Sequence, residues 1–472
     1  MKKSLIALLS VIVLMVFTTA AFALHQVTAT EYTPSVVKAA KAQITLGGEL
    51  RVRGEFRNNT TDFENTDEDG TDGAANPRDR QAFYDQRVRL NLKATVSPNT
   101  MGFVELENGN DLDTTAGDTA DGPAWGSTTE GATGIYQESN SKRGDLRVRQ
   151  LYIAHQGKGL GVLSGIKAGH MLMALGNNMF YDHSKFGDDA IVFWISPADK
   201  TEISLSALKL TENSNVIHDD QNAFVLAAES AIGDISVSGD LTWVDDNGTA
   251  HKELNLYNLG LRANADLKVV RVKGDVELQT GKQKSGASNG DDLKFRGLAV
   301  MAGVEADAGP VTVRGNVAYG SGDKTDTGEK YEGFVTSLGA DQRYTYIYEY
   351  RAPTAAQTSL TGGAYAGATG TGLNNTWYIN AGVTAKPATD LKVSADAYYL
   401  RASKKVSDTN DLDSKAIGFE LDGKVEYQID TNLAYYVEGG YLFAGDFYKN
   451  VTAGNEDPDN AYGVRHGLLL KF

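Results

Sequence analysis

Arginine residues recur at alternate positions in three segments of the 472-residue chain. In an extended strand alternate side chains point to the same face, so each group would present its guanidinium groups together. Guanidinium groups on one wall of a pore favour anions, unless neighbouring carboxylates pair with them. The arginines are Arg51, Arg53 and Arg57, then Arg87 and Arg89, and then Arg147 and Arg149. The carboxylates available for pairing are Glu49, Glu55, Asp85, Asp275 and Glu277.

The composition excludes several other kinds of chemistry. The chain contains no cysteine, so a disulfide framework, a thiolate metal site and a cysteine nucleophile are ruled out. Its 61 acidic and 45 basic residues give a formal net charge of -16, which disfavours a nucleic-acid partner. Histidine is scarce, with 7 residues, and His170 and His183 lack a fixed metal-binding spacing. We therefore predict no enzyme activity, no cofactor and no metal site.

The first residues have the three parts of a secretory signal. Two lysines precede an apolar run from Leu5 to Phe17, and 21–23 reads Ala-Phe-Ala, a small-x-small cleavage site. The apolar run is shorter than the ~20 residues that a membrane-spanning helix needs, which disfavours an uncleaved anchor. We predict a signal peptide at 1–23 and a periplasmic lead-in at 24–43, with a helix as an option around 36–42.

From Ile44 onwards, apolar and polar residues alternate with a period of two along most of the chain. This pattern predicts about eighteen β-strands, with sixteen as the alternative count. The typical length of these strands is close to the ~9–11 residues that a tilted transmembrane strand needs. The predicted strands of the first half are 44–57, 81–96, 101–108, 145–156, 162–170, 190–196, 200–210, 222–231 and 234–244. Those of the second half are 252–266, 268–280, 293–306, 310–320, 376–385, 391–401, 415–428, 432–444 and 460–472.

The connections between these strands are alternately short and long. Short connections include 97–100 and 197–199, and long ones include 58–80, 109–144 and 321–375. This alternation is typical of an up-and-down barrel with short periplasmic turns and long extracellular loops. A soluble β-sandwich also alternates apolar and polar residues, but its loops need not alternate in length. We therefore predict an all-β fold, with a transmembrane antiparallel β-barrel over 44–472.

In such a barrel the arginines must face the interior. An arginine that faces lipid at the bilayer midplane costs about 2–4 kcal/mol, so two pairs would cost on the order of 8–16 kcal/mol. A barrel of this width encloses a water channel unless it is plugged. We predict all of the arginines named above as pore-lining residues, with either a preference for anions or a mixed field of little preference.

The connection 171–189 is more apolar than the other long connections. It contains Met171, Leu172, Met173, Leu175, Met179, Phe180, Tyr181 and Phe186. A water-exposed loop seldom carries so many large apolar groups, so we expect it to fold inward and to pack on the barrel wall. Its charged residues would then form a constriction opposite the arginines, with an electric field across the channel. These residues are Asp182, Lys185, Asp188 and Asp189.

Two further long connections have a distinct character. Four tyrosines, Tyr344, Tyr346, Tyr348 and Tyr350, alternate within 321–375. The alternation fits a strand extended above the membrane, and it equally fits a cover over the pore mouth. The connection 58–80 is acidic, and divalent ions could bridge it to lipopolysaccharide.

The last segment places Tyr462, Val464, Leu468, Leu470 and Phe472 on one face. Together with the signal, the alternating strands and the asymmetry of the connections, it resembles a Gram-negative outer-membrane porin over essentially the whole mature chain. Within that class, GIKAGH at 165–170 and LGNN at 175–178 are similar to porin-type proteins of metal-respiring bacteria.

The porin resemblance implies an outer-membrane channel for passive diffusion of small hydrophilic solutes and ions. It also implies that the connection 171–189 narrows the channel, and that the protein forms homotrimers. The alternative function is a structural barrel that holds an electron-transfer cytochrome partner. This chain has no Cys-x-x-Cys-His motif, so it cannot attach c-type haem itself.

Overall fold

The computed structural model describes most of the chain beyond residue 34. The described residues are 35–39, 42–60, 63–64, 80–109, 145–212, 219–247, 253–284, 292–323, 330–335, 344–350, 372–405, 415–450, 452 and 456–472. The predicted signal peptide 1–23 lies outside these residues, as does most of the acidic connection 58–80. Among the described residues, no helix is long and apolar enough to cross a bilayer.

The described residues form one sheet of 21 strands, of which 18 make a closed, antiparallel barrel. The predicted fold class is confirmed, with eighteen strands rather than sixteen. The first nine barrel strands are β2 (Ala42–Asn58), β3 (Gln81–Ser97), β4 (Thr100–Gly109), β5 (Asp145–Gly157), β6 (Leu163–Ala174), β7 (Asp182–Ala198), β8 (Thr201–Thr211), β9 (Gln221–Ile232) and β10 (Ile235–Asp246). The other nine are β11 (Leu254–Asp266), β12 (Val270–Gln283), β14 (Leu298–Ala308), β15 (Val311–Gly320), β17 (Thr376–Ala388), β18 (Leu391–Ala402), β19 (Ala416–Asp430), β20 (Leu433–Ala444) and β21 (Ala461–Lys471). The remaining elements are the short strands β1 (Ser35–Ala39), β13 (Leu293–Phe295) and β16 (Lys330–Tyr331), and a 3₁₀-helix over Asp446–Asn450.

The first and last barrel strands close the ring. β2 pairs with β21 from Glu49 opposite Lys471 to Asn58 opposite Tyr462. Gly48 and Phe472 then exchange two backbone hydrogen bonds, with N–O distances of 2.8 Å and 3.1 Å. A β-carbon at Gly48 would lie 2.5 Å from the backbone oxygen of Arg89 and 2.8 Å from Cζ of Phe472, so this point of the seam has room only for glycine.

The two faces of the barrel wall differ in polarity. Large apolar side chains such as Leu50, Leu90, Leu241 and Leu421 are exposed on the outer face. Each alternates along its strand with an inward-facing residue, and many inward-facing residues are charged. A continuous exposed apolar belt is unfavourable in water and favourable in hydrocarbon, so the outer face suits a lipid environment.

The lead-in differs from the sequence expectation. The option of a helix around 36–42 is wrong, because β1 is an extended strand that pairs antiparallel with the start of β2. Val37 lies opposite Ile44 in this pairing. The β-branched Val36 and Val37 favour an extended backbone, and the start of β2 offers backbone groups to pair with.

The connection predicted over 171–189 is largely strand. β6 continues to Ala174 and β7 begins at Asp182, which leaves residues 175–181 as the tip of a long hairpin. Leu175 N donates to Tyr181 O over 3.0 Å, and Asn178 N donates to Leu175 O over 2.9 Å. These bonds close the hairpin tip, which is the name used below for residues 175–181.

Candidate functional site: the barrel lumen

The inward-facing arginines of β2 are paired and enclosed. Arg53 is 1% exposed, and its Nε donates to Asp85 over 2.8 Å. Arg51 also donates to Asp85, over 3.2 Å, so one fully buried carboxylate accepts from two guanidinium groups. Arg57 is buried and donates to Gln81 over 2.8 Å. These three predicted pore-lining residues therefore stabilise the wall rather than lie open to the lumen.

The arginines of β3 and β5 also meet carboxylates. Arg87 pairs with Glu49 at 2.5 Å across β2 and β3. Arg89 pairs with Glu107, and Arg149 pairs with Glu105 across β4 and β5. Arg147 is the exposed member of the group, and it lies opposite Glu107 in the register of β4 and β5. The sequence left open a preference for anions or a mixed electric field with little preference. This pairing favours the mixed field, because neighbouring carboxylates neutralise most of the positive charge of the arginines.

The hairpin tip reaches the wall formed by β11 and β12. The backbone N and the side-chain Nδ2 of Asn177 both lie 3.2 Å from Oδ2 of Asp275. Gly176 has a φ of 56°, and a β-carbon there would lie 1.6 Å from Nε of Arg262. Glycine is therefore required at this position, both for its backbone conformation and for close packing on Arg262. These contacts hold the tip inside the barrel.

Arg262 is the fixed point on which the hairpin tip rests. It pairs with Asp240 and Glu277, and its Nε lies 3.1 Å from Oδ2 of Asp275. The three carboxylates and the guanidinium are all buried. A buried cation that contacts three carboxylates is held by several charge-assisted hydrogen bonds, so its position is rigidly defined.

The predicted constriction residues do not act as one group. Asp182 is buried and accepts hydrogen bonds from Asn178 Nδ2 and Ser184 N, both over 3.1 Å. Asp188 is buried and accepts from Tyr181 and from Nδ1 of His183. Lys185, which lies between Asp182 and Asp188 in the sequence, has a half-buried side chain. Asp182 and Asp188 therefore hold the hairpin tip on β7.

Asp189 does not face the lumen, which corrects its assignment as a constriction residue. Its side chain is 70% exposed and lies 3.0 Å from Nδ1 of His170. Asp188 and Ala190, on either side of it, are buried. Asp189 pairs regularly with His170, outside the register shift between Met171 and Met173, and it shares the outward face of Ile191 and Phe193. No group of three or more His, Asp or Glu side chains in the described parts of the chain could hold a metal ion.

Burial changes the acidity of one phenol at the tip. Tyr181 is fully buried and donates to Asp188. Burial disfavours the charged phenolate, and the negative charge of Asp188 disfavours it further, so the pKa of Tyr181 lies well above its usual value. Tyr181 therefore remains a neutral hydrogen-bond donor that ties the tip to β7.

A second segment, residues 344–350, lies inside the barrel and is called the tyrosine segment below. Three consecutive backbone N–H groups point at two inward-facing carboxylates of β19. Tyr346 N donates to Asp422 over 3.0 Å, and Ile347 N and Tyr348 N donate to Glu420 over 2.5 Å and 2.9 Å. The segment consists of bends and turns, so it is not a strand extended above the membrane.

Aromatic and cationic contacts fix the two ends of the tyrosine segment. The ring of Tyr344 stacks on Tyr378 of β17 with centroids 4.7 Å apart. The guanidinium of Arg465 on β21 lies 5.4 Å from the ring centre of Tyr346 and 4.9 Å from that of Tyr350. Arg465 Nη1 also donates to the hydroxyl of Tyr350 over 2.8 Å. The segment therefore spans from β17 to β21 across the inner wall.

The open space of the lumen lies between the hairpin tip and the tyrosine segment. A cavity of about 550 Å³ has walls from Asn177, Tyr344 and the strands β12, β14, β15, β17 and β18. A second cavity of about 510 Å³ lies towards the short turns at Gly233 and Asp266. Lys273 of β12 lines both cavities. Both cavities thus border β12, on a different wall from the predicted arginines.

The sequence indicated only part of this site. Lys273 and Arg314 alternate with apolar residues, so their inward direction was foreseeable, although the arginine groups drew the prediction to another wall. Asn316, Asn380 and Asp396 line the first cavity and had no recognisable motif. Their grouping depends on the pairing of β15, β17 and β18, which is visible only in the structure.

Comparison with solved structures finds the same kind of barrel. OccK9 (OpdG) from Pseudomonas aeruginosa has a TM-score of 0.52 and 14% sequence identity, over 90% of this chain and 98% of that chain. OpdK from the same organism, solved with vanillate, has a TM-score of 0.51 and 10% identity, over 90% and 98% of the two chains. A looser likeness, with a TM-score of 0.44 and 10% identity over 91% and 100%, is to the anion-selective porin from Comamonas acidovorans.

The first two likenesses establish a shared barrel fold. Sequence identities this low do not transfer a solute or a selectivity from one protein to another. No protein-family model matches the sequence, and no curated protein matches it either. The function is therefore argued from the residues of the lumen.

Proposed function

We propose that this protein is an outer-membrane porin, a water-filled channel for passive diffusion of small hydrophilic solutes and ions. The observation that carries this proposal is the polarity of the closed barrel, which is apolar outside and charged inside. The apolar outer face is favourable in contact with lipid, and the charged inner face is favourable in contact with water and solutes. The porin-type resemblance of the sequence supports the same location and function.

The geometry of the lumen suggests how the channel limits its solutes. The hairpin tip, anchored on Arg262 and Asp275, narrows the lumen from one side. The tyrosine segment narrows it from the other side, where Glu420 and Asp422 hold its backbone. A solute passes between them without any covalent step, so size and charge decide its rate.

The alternative of a sheath around a cytochrome receives no support from the lumen. The hairpin tip and the tyrosine segment occupy the space that such a partner would fill. The two cavities beside β12, of about 550 Å³ and about 510 Å³, have the size of small-molecule sites. A folded haem protein requires a lumen free of these segments.

Two partners belong to the same proposal. The porin resemblance supports a homotrimer, and the acidic connection 58–80 suits divalent ions that bridge to lipopolysaccharide. Chemical crosslinking in native outer membranes tests the first, since a trimer yields a ladder that ends at three chains. Extraction with and without a chelator tests the second, since removal of divalent ions would release bound lipopolysaccharide.

Single-channel recording in planar bilayers tests the channel itself. The purified, refolded protein should add stepwise conductance increments that scale with salt concentration. The heat-denatured protein, added at the same concentration, is the matched control and should add none. If the folded barrel inserts into vesicles, as shown by protease protection, and adds no conductance, the proposed function is wrong.

A further inference from the structure

We propose that Lys273 is the selectivity-determining charge of the lumen, and that Lys273 and Asn316 form a transient site for a small anion that carries a hydroxyl group. The inference rests on the proposed porin function and names its solute class. It is independent of Arg51, Arg53, Arg57, Arg87, Arg89 and Arg149, which are paired with carboxylates or enclosed in the wall.

Lys273 differs from the other cations of this wall in having no carboxylate partner. Arg262 contacts three carboxylates, Arg271 contacts Glu305 and Asp307, and Arg314 is paired with Asp396. Within the described part of the chain, no carboxylate oxygen lies within 4.0 Å of the ammonium of Lys273, and the side chain is half-buried. Its positive charge is therefore the one that the cavity presents to a solute.

The hydrogen-bond acceptor beside Lys273 is set by a chain of amides. Asp396 accepts from Asn380 Nδ2 over 3.1 Å, so the oxygen of Asn380 is free to accept from Asn316 Nδ2 over 2.8 Å. The carboxylate at one end fixes the direction of both amides, because a carboxylate only accepts. Oδ1 of Asn316 is therefore the acceptor that the chain presents at its other end.

Gly303 brings the two groups together. A β-carbon at Gly303 would lie 2.3 Å from Oδ1 of Asn316 and 2.8 Å from Cε of Lys273. The missing side chain lets the stem of Lys273 and the amide oxygen of Asn316 lie side by side over the backbone of Gly303. A small 2-hydroxy acid offers the complementary pair, since its carboxylate accepts from the lysine and its hydroxyl donates to the amide oxygen.

Lys273 stands at the boundary of the two cavities described above. Lys273 lines both the cavity next to the hairpin tip and the cavity next to the short turns. A solute that moves between the two cavities along β12 passes the ammonium. A single uncompensated charge at a junction controls the sign of the ions that cross it.

Reversal potentials in a potassium chloride gradient test the charge. The chloride-to-potassium permeability ratio of Lys273→Gln should fall by about fivefold, the effect of one unit charge in contact with an ion in water. Lys273→Glu should invert the preference, and Lys273→Arg should retain it. Arg53→Gln is the matched control, because its charge is buried and paired, and it should leave the ratio unchanged. An unchanged ratio in Lys273→Gln overturns the inference.

Block of the chloride current by organic anions tests the hydroxyl contact. Lactate should block the wild-type channel at lower concentration than propionate, which has a similar size and lacks the hydroxyl. Asn316→Ala should abolish the difference, and Lys273→Gln should weaken both anions. Equal block by lactate and propionate in the wild type overturns the assigned solute class. Absence of any conductance in the folded wild-type protein would refute the porin function itself, so the two failures are distinguishable.

Discussion

Replacing Asp85 with asparagine should destabilise the barrel far more than replacing a charge elsewhere in the lumen. Asp85 is fully buried and accepts from both Arg51 and Arg53. Removing the negative charge leaves two guanidinium groups without their shared partner in a site closed to water. Glu55, whose carboxylate lies 3.9 Å from Arg53, offers only a weaker replacement.

The expected magnitude follows from burial. Removing one partner of a buried ion pair typically costs 3–5 kcal/mol, which corresponds to a change of about two to three and a half decades in the folding equilibrium. An exposed pair is typically worth 0.2–1 kcal/mol. Glu426→Gln is the matched control, because Glu426 also faces the lumen and pairs across strands with Lys392, whose side chain is 46% exposed.

The assay is reversible unfolding by urea in phospholipid vesicles, followed by tryptophan fluorescence. Asp85→Asn should lower the urea midpoint clearly without changing the slope, and Glu426→Gln should shift it little. Single-channel selectivity, measured on protein that remains folded, should be unchanged in both variants. Equal urea midpoints for Asp85→Asn and Glu426→Gln would refute the structural role of Arg51 and Arg53. These arginines would then be better described as pore-lining residues.

Three further outcomes are expected. Gly176→Ala should lift the hairpin tip from Arg262 and give larger or noisier channel currents, because the position needs a positive φ and has no room for a β-carbon; quiet, unchanged currents would argue against docking of the tip. Glu420→Gln should loosen the tyrosine segment and raise the conductance, because two backbone N–H groups lose a charged acceptor; an unchanged conductance would contradict the role of Glu420 in holding the segment. Burial, reinforced by neighbouring tyrosine and glutamate charges, raises the pKa of Tyr344 and Tyr448 well above the usual value, so the folded protein retains these protons more tightly than the unfolded chain. Stability from these groups should be full below about pH 10 and should fall at higher pH, and absorbance at 295 nm should show phenols that ionise only on unfolding; titration of all tyrosines near pH 10 in the folded protein would contradict their burial.

The strands were predictable because each one meets two different environments. In β12, Val272, Val276 and Leu278 are exposed on the outside, whereas Asp275 and Glu277 are buried inside. A wall between hydrocarbon and water imposes this period of two on every strand, and the pattern is local in sequence. Every strand predicted from the alternation therefore has a counterpart in the barrel.

The side-chain pairs between neighbouring strands were not predictable. The direction of a side chain follows from the local alternation, whereas its partner depends on the register between two strands. Arg53 lies opposite Asp85 only through the pairing of β2 and β3, although the two residues are 32 positions apart. The sequence therefore left open whether the arginines are paired or form a cationic stripe. Asp189 is a different case, because it continues the outward alternation of Ile191 and Phe193, so its direction follows once β7 is extended to include it.

The tyrosine segment could not be placed from its own residues. Its alternation is that of a strand, yet its backbone donors are satisfied by Glu420 and Asp422, which lie 72–76 positions further along the chain. Contacts of this kind depend on the closed shape of the barrel and on the depth of a loop inside it. No local pattern encodes that depth.

The seam between β2 and β21 has a consequence for how the protein must assemble. Its two strands are the most distant barrel strands in sequence, whereas every other strand pairing of the barrel joins successive barrel strands. Strands that are adjacent in sequence can therefore pair early in folding. Pairing of β2 with β21 has the largest cost in loop-closure entropy. Until Phe472 reaches Gly48, both strands are open edges that invite pairing with another chain. Ring closure should be the slowest folding step, and the half-zipped sheet should be the species that aggregates.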